Sequence, residues 1–289
     1  MFSTITLADG RTLEYAEHGD PSGSPLFFFH GTPATGGQAA CASDIARSRG
    51  VRLVAPTRPG YGDSTMGPPG LSRTASDTLE LADELGLERF GVWGTSGGGP
   101  FALAVAALAP ERMTLVAVHA GPGRSADVRP EVVGDEDTRA LDLVAGGRFD
   151  EGIAVMNALG DAEFDELRGL SAEDFSAAMA KMTPPGESWF DRHPEHRGEF
   201  EADFQRSIVS SDGFSRDNLS WLRDWDIDPS TISVPVRLVY GESDQMAIMA
   251  HAEWLQARLP SSELVVVPGG HGDAIFGAAD ATFAALETH

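Results

Sequence analysis

The most regular feature of the chain is a series of short apolar runs separated by helical patterns. Residues 5–15 alternate apolar and polar positions around Asp9-Gly10, which predicts a β-hairpin. Six further runs are short and almost continuously apolar, which indicates strands buried on both faces: 25–31, 51–56, 90–94, 114–121, 234–241 and 263–269. Helical patterns lie between them, at 72–86, 97–109 and 247–258. This alternation predicts an α/β fold with a mostly parallel, eight-stranded sheet and helices on both faces.

Residues 122–231 interrupt the alternation, because this stretch has helical and irregular patterns and no buried-strand run. It holds 25 of the 44 acidic residues and 11 of the 21 basic ones, a net charge of −14. It is also rich in aromatic residues, which a disordered linker lacks: Phe149, Phe164, Phe175, Trp189, Phe190, Phe200, Phe204, Phe214, Trp221 and Trp225. We therefore predict a core domain of residues 1–121 and 232–289, with a helical cap at 122–231 inserted after the sixth strand.

The charge and the cysteine content restrict the partners and the compartment. A formal net charge of −23 argues against nucleic acid, whose phosphates require a basic surface, and disfavours an anionic membrane. No apolar run approaches the length of about 18 residues that a membrane helix needs. Cys41 is the only cysteine, and the alternating N-terminus does not resemble a signal peptide. The expectation is a cytoplasmic protein that acts on a small molecule.

A serine stands where a buried strand turns sharply into a helix. Gly94-Thr95-Ser96-Gly97-Gly98 has the pattern G-x-S-x-G, directly after the run 90–94 and before the helical pattern. Glycines two residues on either side of a serine allow a strained turn and close approach of neighbouring chains. The hydroxyl of Ser96 is then exposed at the carboxyl edge of the sheet, over a helix N-terminus that stabilises negative charge. Ser96 is the predicted nucleophile.

A serine hydroxyl needs a base, and His271 is the predicted one. It lies on a glycine-rich loop just after the last strand run, at the same edge of the sheet. His119 ends the sixth strand and could line the pocket, although a structural role is favoured for it. Other histidines fall in segments that are expected to be at the surface or in the cap: His18, His193, His196, His251 and His289.

The base in turn needs a carboxylate that fixes its tautomer, and Asp244 is the predicted one. It follows the run 234–241 at the carboxyl end of a strand. Glu242 is the rival, but it comes earlier in the turn and is expected to face outward. Asp273 is too close to His271 along the chain to reach its ring easily.

The same edge should also hold an oxyanion hole. One expected donor is the backbone N–H of Gly97, directly after the nucleophile. The other is the N–H of Thr32 in the loop His30-Gly31-Thr32-Pro33, since proline has no N–H. His30 is expected to bond within this loop and not to transfer protons.

Five motifs occur in the order found in one family. They are His-Gly-Thr-Pro at 30–33, Arg-Pro-Gly-Tyr-Gly-Asp-Ser at 58–64, the serine turn at 94–98, Gly-Glu-Ser-Asp at 241–244 and Gly-Gly-His-Gly at 269–272. The chain thus resembles the capped α/β-hydrolases, a family that includes esterases, lactonases, C–C bond hydrolases, haloperoxidase-like enzymes, epoxide hydrolases and dehalogenases. The resemblance covers residues 1–121 and 232–289, and it implies the α/β-hydrolase fold and the chain order serine, acid, histidine.

The chain departs from the family pattern at two places. Thr57 stands where relatives usually carry an aspartate before the Arg-Pro-Gly run, which concerns loop structure more than chemistry. The nucleophile is a serine, whereas the epoxide hydrolases and dehalogenases that the chain resembles use an aspartate. Those two activities are therefore not expected.

The leading hypothesis is hydrolysis of a carboxylic ester, thioester or lactone through an acyl-enzyme on Ser96. No metal or organic cofactor is expected, because no cluster of cysteine, histidine and carboxylate residues suggests one. The same triad also serves C–C bond hydrolysis, lyase chemistry and cofactor-free peroxidation, which remain alternatives. A hydrolase-fold ligand receptor with slow turnover is a further alternative, of another class.

Overall fold

Eight strands form one sheet in the computed structural model, which describes residues 1–182 and 189–286. The strands are β1 Phe2–Thr6, β2 Thr12–Gly19, β3 Ser24–Phe29, β4 Val51–Pro56, β5 Phe90–Thr95, β6 Met113–His119, β7 Val236–Gly241 and β8 Ser262–Val267. Their order across the sheet is β1-β2-β4-β3-β5-β6-β7-β8. The hairpin β1–β2 and the pair β2–β4 are antiparallel, and every other pair is parallel. The predicted mostly parallel, eight-stranded sheet is confirmed.

Five helices cover the two faces of this sheet: α1 Ser43–Ser48, α2 Leu71–Glu84, α3 Gly99–Leu108, α11 Met249–Gln256 and α12 Ala279–Ala284. The period of two along β3 explains why both faces are apolar. Phe27 and Phe29 pack with α2, α3 and α11 on one face, while Leu26 and Phe28 pack with α1 and α12 on the other. All four side chains are fully buried, and each contributes about 1.5–3 kcal/mol to folding.

The chain between β6 and β7 contains helices and no strand among its described residues. The helices are α4 Ser125–Val128, α5 Asp135–Ala145, α6 Phe149–Phe164, α7 Ala172–Met182, α8 Trp189–Arg192, α9 Arg197–Ser207 and α10 Asp212–Trp221. They form two small apolar clusters of their own, one around Met156 and one around Phe175. The predicted helical insertion after the sixth strand is confirmed, and we call these helices the cap.

The parallel strands bring distant parts of the sequence to one edge of the sheet. The loops after β3, β5, β7 and β8 all leave from the carboxyl ends of neighbouring or nearby strands. In open α/β sheets, ligand sites form at this edge. Within the described ranges, no helix has the length and apolar character needed to cross a membrane.

Candidate active site

The turn that carries Ser96 is strained. Ser96 has a backbone φ of +48°, in the left-handed region that residues with a side chain rarely adopt. A Cβ atom at Gly94 would lie 2.5 Å from the carbonyl oxygen of Gly98, and one at Gly98 would lie 2.1 Å from that of Phe29. Only glycine fits at these two positions. Such strain is found at functional sites, where the surrounding structure holds the residue in place.

The three predicted triad side chains form one hydrogen-bonded chain. His271 Nε2 lies 3.1 Å from Ser96 Oγ, and His271 Nδ1 lies 2.7 Å from Asp244 Oδ2. The other oxygen of Asp244 accepts hydrogen bonds from the backbone N–H groups of Met246 (2.8 Å) and Ala247 (2.9 Å). The buried carboxylate of Asp244 is thus held in one orientation, with Oδ2 directed at the imidazole.

The rival carboxylates are placed differently. Glu242 is exposed at the turn after β7. Asp273 accepts a hydrogen bond from the backbone N–H of Gly270 at 3.0 Å and forms an ion pair with Arg192. Neither Glu242 nor Asp273 forms a hydrogen bond with the ring of His271, which is bonded to Asp244.

No other histidine that the structure describes forms a hydrogen bond with Ser96. His119 is fully buried, with Nδ1 3.1 Å from the carbonyl oxygen of Ile275 and Nε2 2.9 Å from Thr282 Oγ1, and burial lowers its pKa to about 4. The expectation that His251 lies at the surface is wrong. It is buried against α4 and the preceding loop, and its Nδ1 accepts a hydrogen bond from the backbone N–H of Gly123 at 3.1 Å. His289 lies outside the described residues.

The loop after β3 lies directly beside Ser96. A Cβ atom at Gly31 would lie 3.6 Å from Ser96 Cβ, and one at Gly97 would lie 3.4 Å from the backbone nitrogen of Thr32. The two expected oxyanion donors therefore adjoin each other next to the serine. No side chain other than hydrogen fits at Gly97, because a Cβ there would lie 2.4 Å from Thr32 Oγ1.

His30 bonds within this loop, as expected. Its Nε2 accepts the backbone N–H of Arg58 at 3.1 Å, so Nδ1 carries the proton and donates it to the carbonyl oxygen of Gly31 at 2.8 Å. Complete burial and the nearby Arg58 guanidinium hold the pKa of His30 well below its ordinary value. His30 is a neutral structural group.

A buried ion pair joins the cap to the loop after β4 and, through hydrogen bonds, to the loop after β3. The side chains of Arg58 and Asp217, the latter on α10, are both fully buried and 2.6 Å apart. Arg58 also donates to the carbonyl oxygens of His30 (2.5 Å) and Gly31 (2.9 Å), and Thr32 Oγ1 donates to Asp217 at 2.7 Å. No local pattern signals this pair, since its members are 159 residues apart.

A cavity of about 500 Å³ opens above Ser96 and His271, between the sheet edge and the cap. Seven aromatic rings from the described part of the chain line it: Phe164, Trp189, Phe190, Phe200, Phe204, Phe214 and Phe276. Six of them come from the cap, and they belong to the ten cap aromatics identified in the sequence. Phe276, which follows His271 in the core, was not anticipated. The walls of the cavity are thus mainly apolar.

The charges in the cavity wall leave an excess of negative charge. Arg197 is a cation in this wall, and it pairs with Asp191 at 2.9 Å and with Glu201 at 3.7 Å. The carboxylate of Glu163, near the end of α6, forms no hydrogen bond or ion pair with any residue that the structure describes. Partial burial raises its pKa, which is consistent with a carboxylate in a poorly solvated wall. Among the described residues, no group of three or more metal-ligating side chains is present.

The chain is similar to known hydrolases over most of its length. Residues 26–286 match the sequence model of the alpha/beta hydrolase family. A segment is 31% identical over 122 residues to the uncharacterized hydrolase YcgS of Bacillus subtilis (strain 168), and the match spans 40% of each chain.

Solved structures with the same architecture extend this likeness. The enol-lactonase from Burkholderia xenovorans LB400 has a TM-score of 0.67 and 18% identity, with 99% of this chain and 100% of that chain covered. The esterase EaEST from Exiguobacterium antarcticum has a TM-score of 0.63 and 20% identity, with 100% and 99% covered. At such low identities the likeness demonstrates a common fold and nothing more about activity.

Proposed function

This chain belongs to the alpha/beta hydrolase family, and we propose that it is a serine hydrolase that cleaves a carboxylic ester, thioester or lactone of a small, largely apolar molecule. Ser96 is the proposed nucleophile, His271 the base, and Asp244 the acid that orients it. The backbone N–H groups of Thr32 and Gly97 are the proposed oxyanion hole.

One observation carries the proposal: His271 bridges Asp244 and Ser96 at a strained turn. The 2.7 Å contact to Asp244 places the imidazole proton on Nδ1, so that the lone pair of Nε2 faces Ser96 Oγ at 3.1 Å. A nucleophile within hydrogen-bond reach of a base, which is itself oriented by a third group, is the arrangement that activates a serine.

The reaction then proceeds in two halves. Ser96 Oγ attacks the carbonyl carbon while His271 Nε2 takes its proton, and the oxyanion forms beside the N–H groups of Thr32 and Gly97. His271 then returns the proton to the departing atom, which is the oxygen of an alcohol or the sulfur of a thiol. The acyl group remains bound to Ser96. A water molecule, deprotonated by His271, attacks this ester, and the carboxylic acid leaves as Ser96 recovers its proton. These steps require neither a metal nor an organic cofactor.

The cavity supports a substrate with a neutral, apolar part. Its seven rings offer apolar surface, which contributes roughly 25 cal/mol for each Å² removed from water. The carboxylate of Glu163, which pairs with no residue in the described ranges, raises the free energy of a bound anion, whereas Arg197 already pairs with two carboxylates. Neutral esters or lactones should therefore be favoured over anionic ones.

The proposed partner is such a small molecule, and the proposed location is the cytoplasm. Cys41, the only cysteine, is buried as a free thiol, and a reducing compartment is compatible with it. The net charge of −23 disfavours nucleic acid and anionic membranes as partners.

A series of p-nitrophenyl esters of increasing acyl length, with one carboxylated analogue, tests the proposal. We expect Ser96→Ala to lower kcat by at least about ten-thousand-fold. Along the series, kcat/KM should rise by up to roughly fourfold per methylene until the cavity is filled, because each buried CH₂ contributes about 0.8 kcal/mol. Normal turnover by Ser96→Ala would overturn the nucleophile. Absence of ester turnover, with Ser96 still reactive toward a fluorophosphonate, would favour C–C bond or lyase chemistry instead.

A further inference from the structure

We infer that Asp217 of the cap and Arg58 of the core are positioning residues that orient the Thr32 N–H, so that docking of cap helix α10 assembles one half of the oxyanion hole. This inference rests on the proposed function, because it concerns the same hole. The two positioning groups are the carboxylate of Asp217 and the guanidinium of Arg58. They neither contact the reacting atoms nor line the cavity.

The geometry starts from the peptide that joins Gly31 and Thr32. The carbonyl of Gly31 and the N–H of Thr32 belong to one planar unit and point in opposite directions, because a trans peptide is rigid. Fixing the Gly31 oxygen therefore fixes the direction of the Thr32 N–H. Two donors hold that oxygen, Arg58 Nη2 at 2.9 Å and His30 Nδ1 at 2.8 Å.

These donors also polarise the peptide. A carbonyl that accepts hydrogen bonds, one of them from a cation, makes the N–H of the same peptide a stronger donor. The adjoining peptide is held in the same way, since the N–H of Gly31 donates to Gln38 Oε1 at 2.7 Å and the carbonyl of His30 accepts from Arg58 Nη1 at 2.5 Å. The loop is thus braced at successive peptides before any substrate arrives.

Asp217 determines where the guanidinium of Arg58 lies. Arg58 Nε is 3.0 Å from Asp217 Oδ1 and Nη2 is 2.6 Å from Oδ2, which is a two-point contact of the kind that fixes a guanidinium plane. The same Oδ2 accepts hydrogen bonds from Thr32 Oγ1 at 2.7 Å and Tyr61 Oη at 3.1 Å. Asp217 therefore binds Thr32 directly and also through Arg58.

A purely stabilising role does not explain this pair well. Both side chains are fully buried, and removing two charges from water costs so much that apolar residues of similar size are often as stabilising or more so. What an apolar pair cannot do is donate to the carbonyls of His30 and Gly31 or accept from Thr32. The specific contribution of the ion pair is the placement of this loop by a residue from the cap.

The double variant Arg58→Met/Asp217→Leu separates placement from stability, because it removes both charges together and keeps the volume filled. We expect a folded protein with a lower melting temperature, because the carbonyl of His30 and the hydroxyl of Tyr61 lose a buried partner. We expect kcat to be lower by about a hundred- to a thousandfold, as for the loss of one oxyanion donor, and KM to stay within about threefold. Affinity for a trifluoromethyl ketone, whose adduct with Ser96 places an oxyanion in the hole, should fall by the same factor as kcat. A stable double variant with kcat within about threefold of the unmodified protein would overturn the inference.

Two further variants decide the outcome if the double variant does not fold. Thr32→Val keeps the backbone N–H and removes the hydrogen bond from Oγ1 to Asp217. We expect kcat to fall about tenfold with KM unchanged. An unchanged kcat would overturn the inference.

Asp226→Asn is the matched control, because Asp226 also links the segment around α10 to the core. Its carboxylate accepts the N–H groups of Leu71 and Ser72 at 2.9 and 3.1 Å, and it does not contact the loop after β3. It should lower stability and leave kcat unchanged.

Failure of the proposed function would be recognised separately. If Ser96 of the unmodified protein reacts with neither a fluorophosphonate nor the trifluoromethyl ketone, the proposed function fails and this inference fails with it. If Ser96 reacts equally fast in the unmodified protein and in the folded double variant, only the inference is wrong.

Discussion

Replacing Asp244 by asparagine should reverse the proton positions on His271. Asp244 Oδ1 accepts two backbone N–H groups, those of Met246 and Ala247, so the amide oxygen of an asparagine must occupy this position. Its NH₂ group then faces His271 Nδ1 and donates to it. The imidazole proton moves to Nε2, opposite the hydroxyl of Ser96, and Nε2 can no longer accept the serine proton.

The size of the effect follows from this geometry. The side chain keeps all three hydrogen bonds, and only the one to His271 changes direction, so the fold should remain intact while the base is lost. Fixing the wrong tautomer in a triad of this kind lowers kcat about ten-thousand-fold. At 1.36 kcal/mol for each tenfold, this corresponds to about 5 kcal/mol of lost transition-state stabilisation.

The assay is kcat/KM on the best p-nitrophenyl ester, together with thermal unfolding of the same samples. Glu242→Gln is the matched control, because it makes the same chemical change to an exposed carboxylate two residues earlier in the turn. We expect it to stay within about twofold, in line with surface substitutions. Activity of Asp244→Asn within tenfold of the unmodified protein, or an equally large loss in Glu242→Gln, would refute the assignment of the acid.

Two other predictions concern carboxylates outside the triad. Burial raises the pKa of Asp203 to about 6, above the 3.8 of its unfolded form, so ionisation disfavours the folded state and this cost is fully present above pH 6 and absent below about pH 4. The free energy of unfolding of Asp203→Asn, taken relative to that of the unmodified protein, should therefore rise by about 2–3 kcal/mol from pH 4 to pH 7. Denaturant unfolding at both pH values measures this difference, and the same difference at both would contradict the prediction. Glu163→Gln should raise kcat/KM for the carboxylated ester relative to its neutral counterpart by about two- to fivefold at low salt, while Asp150→Asn, the same charge change on α6 away from the cavity, should leave the ratio unchanged. Equal ratios in both variants would remove Glu163 from the explanation of specificity.

The sheet was predictable because each central strand is identified by its own short run of apolar residues. A run such as 25–31 must be buried on both faces, and the alternation of strands with helices restricts the sheet to a mainly parallel one. The arrangement of Ser96 and His271 was predictable for the same reason: each lies in a glycine-rich turn directly after a strand, and parallel strands bring those turns to one edge.

Contacts made across the cap were not predictable in this way. Nothing in the local sequence of Asp217 distinguishes it from the other acidic residues of the cap, and its role depends on how α10 packs on the loop after β3. The wrong expectation for His251 has the same origin, because its burial comes from the loop at Gly123, 128 residues away. The pattern of ten cap aromatics likewise could not show that Phe175 packs within the cap while Phe164 lines the cavity.

The central claim is that Ser96 carries the acyl group during turnover. The most direct measurement is intact-protein and peptide mass spectrometry after rapid acid quenching of the protein with a p-nitrophenyl ester in excess. The account predicts a mass increase equal to one acyl group, located on the peptide that contains Ser96 and absent in Ser96→Ala. An acyl group on any other residue, or steady ester turnover in which Ser96→Ala is as active as the unmodified protein, would contradict it.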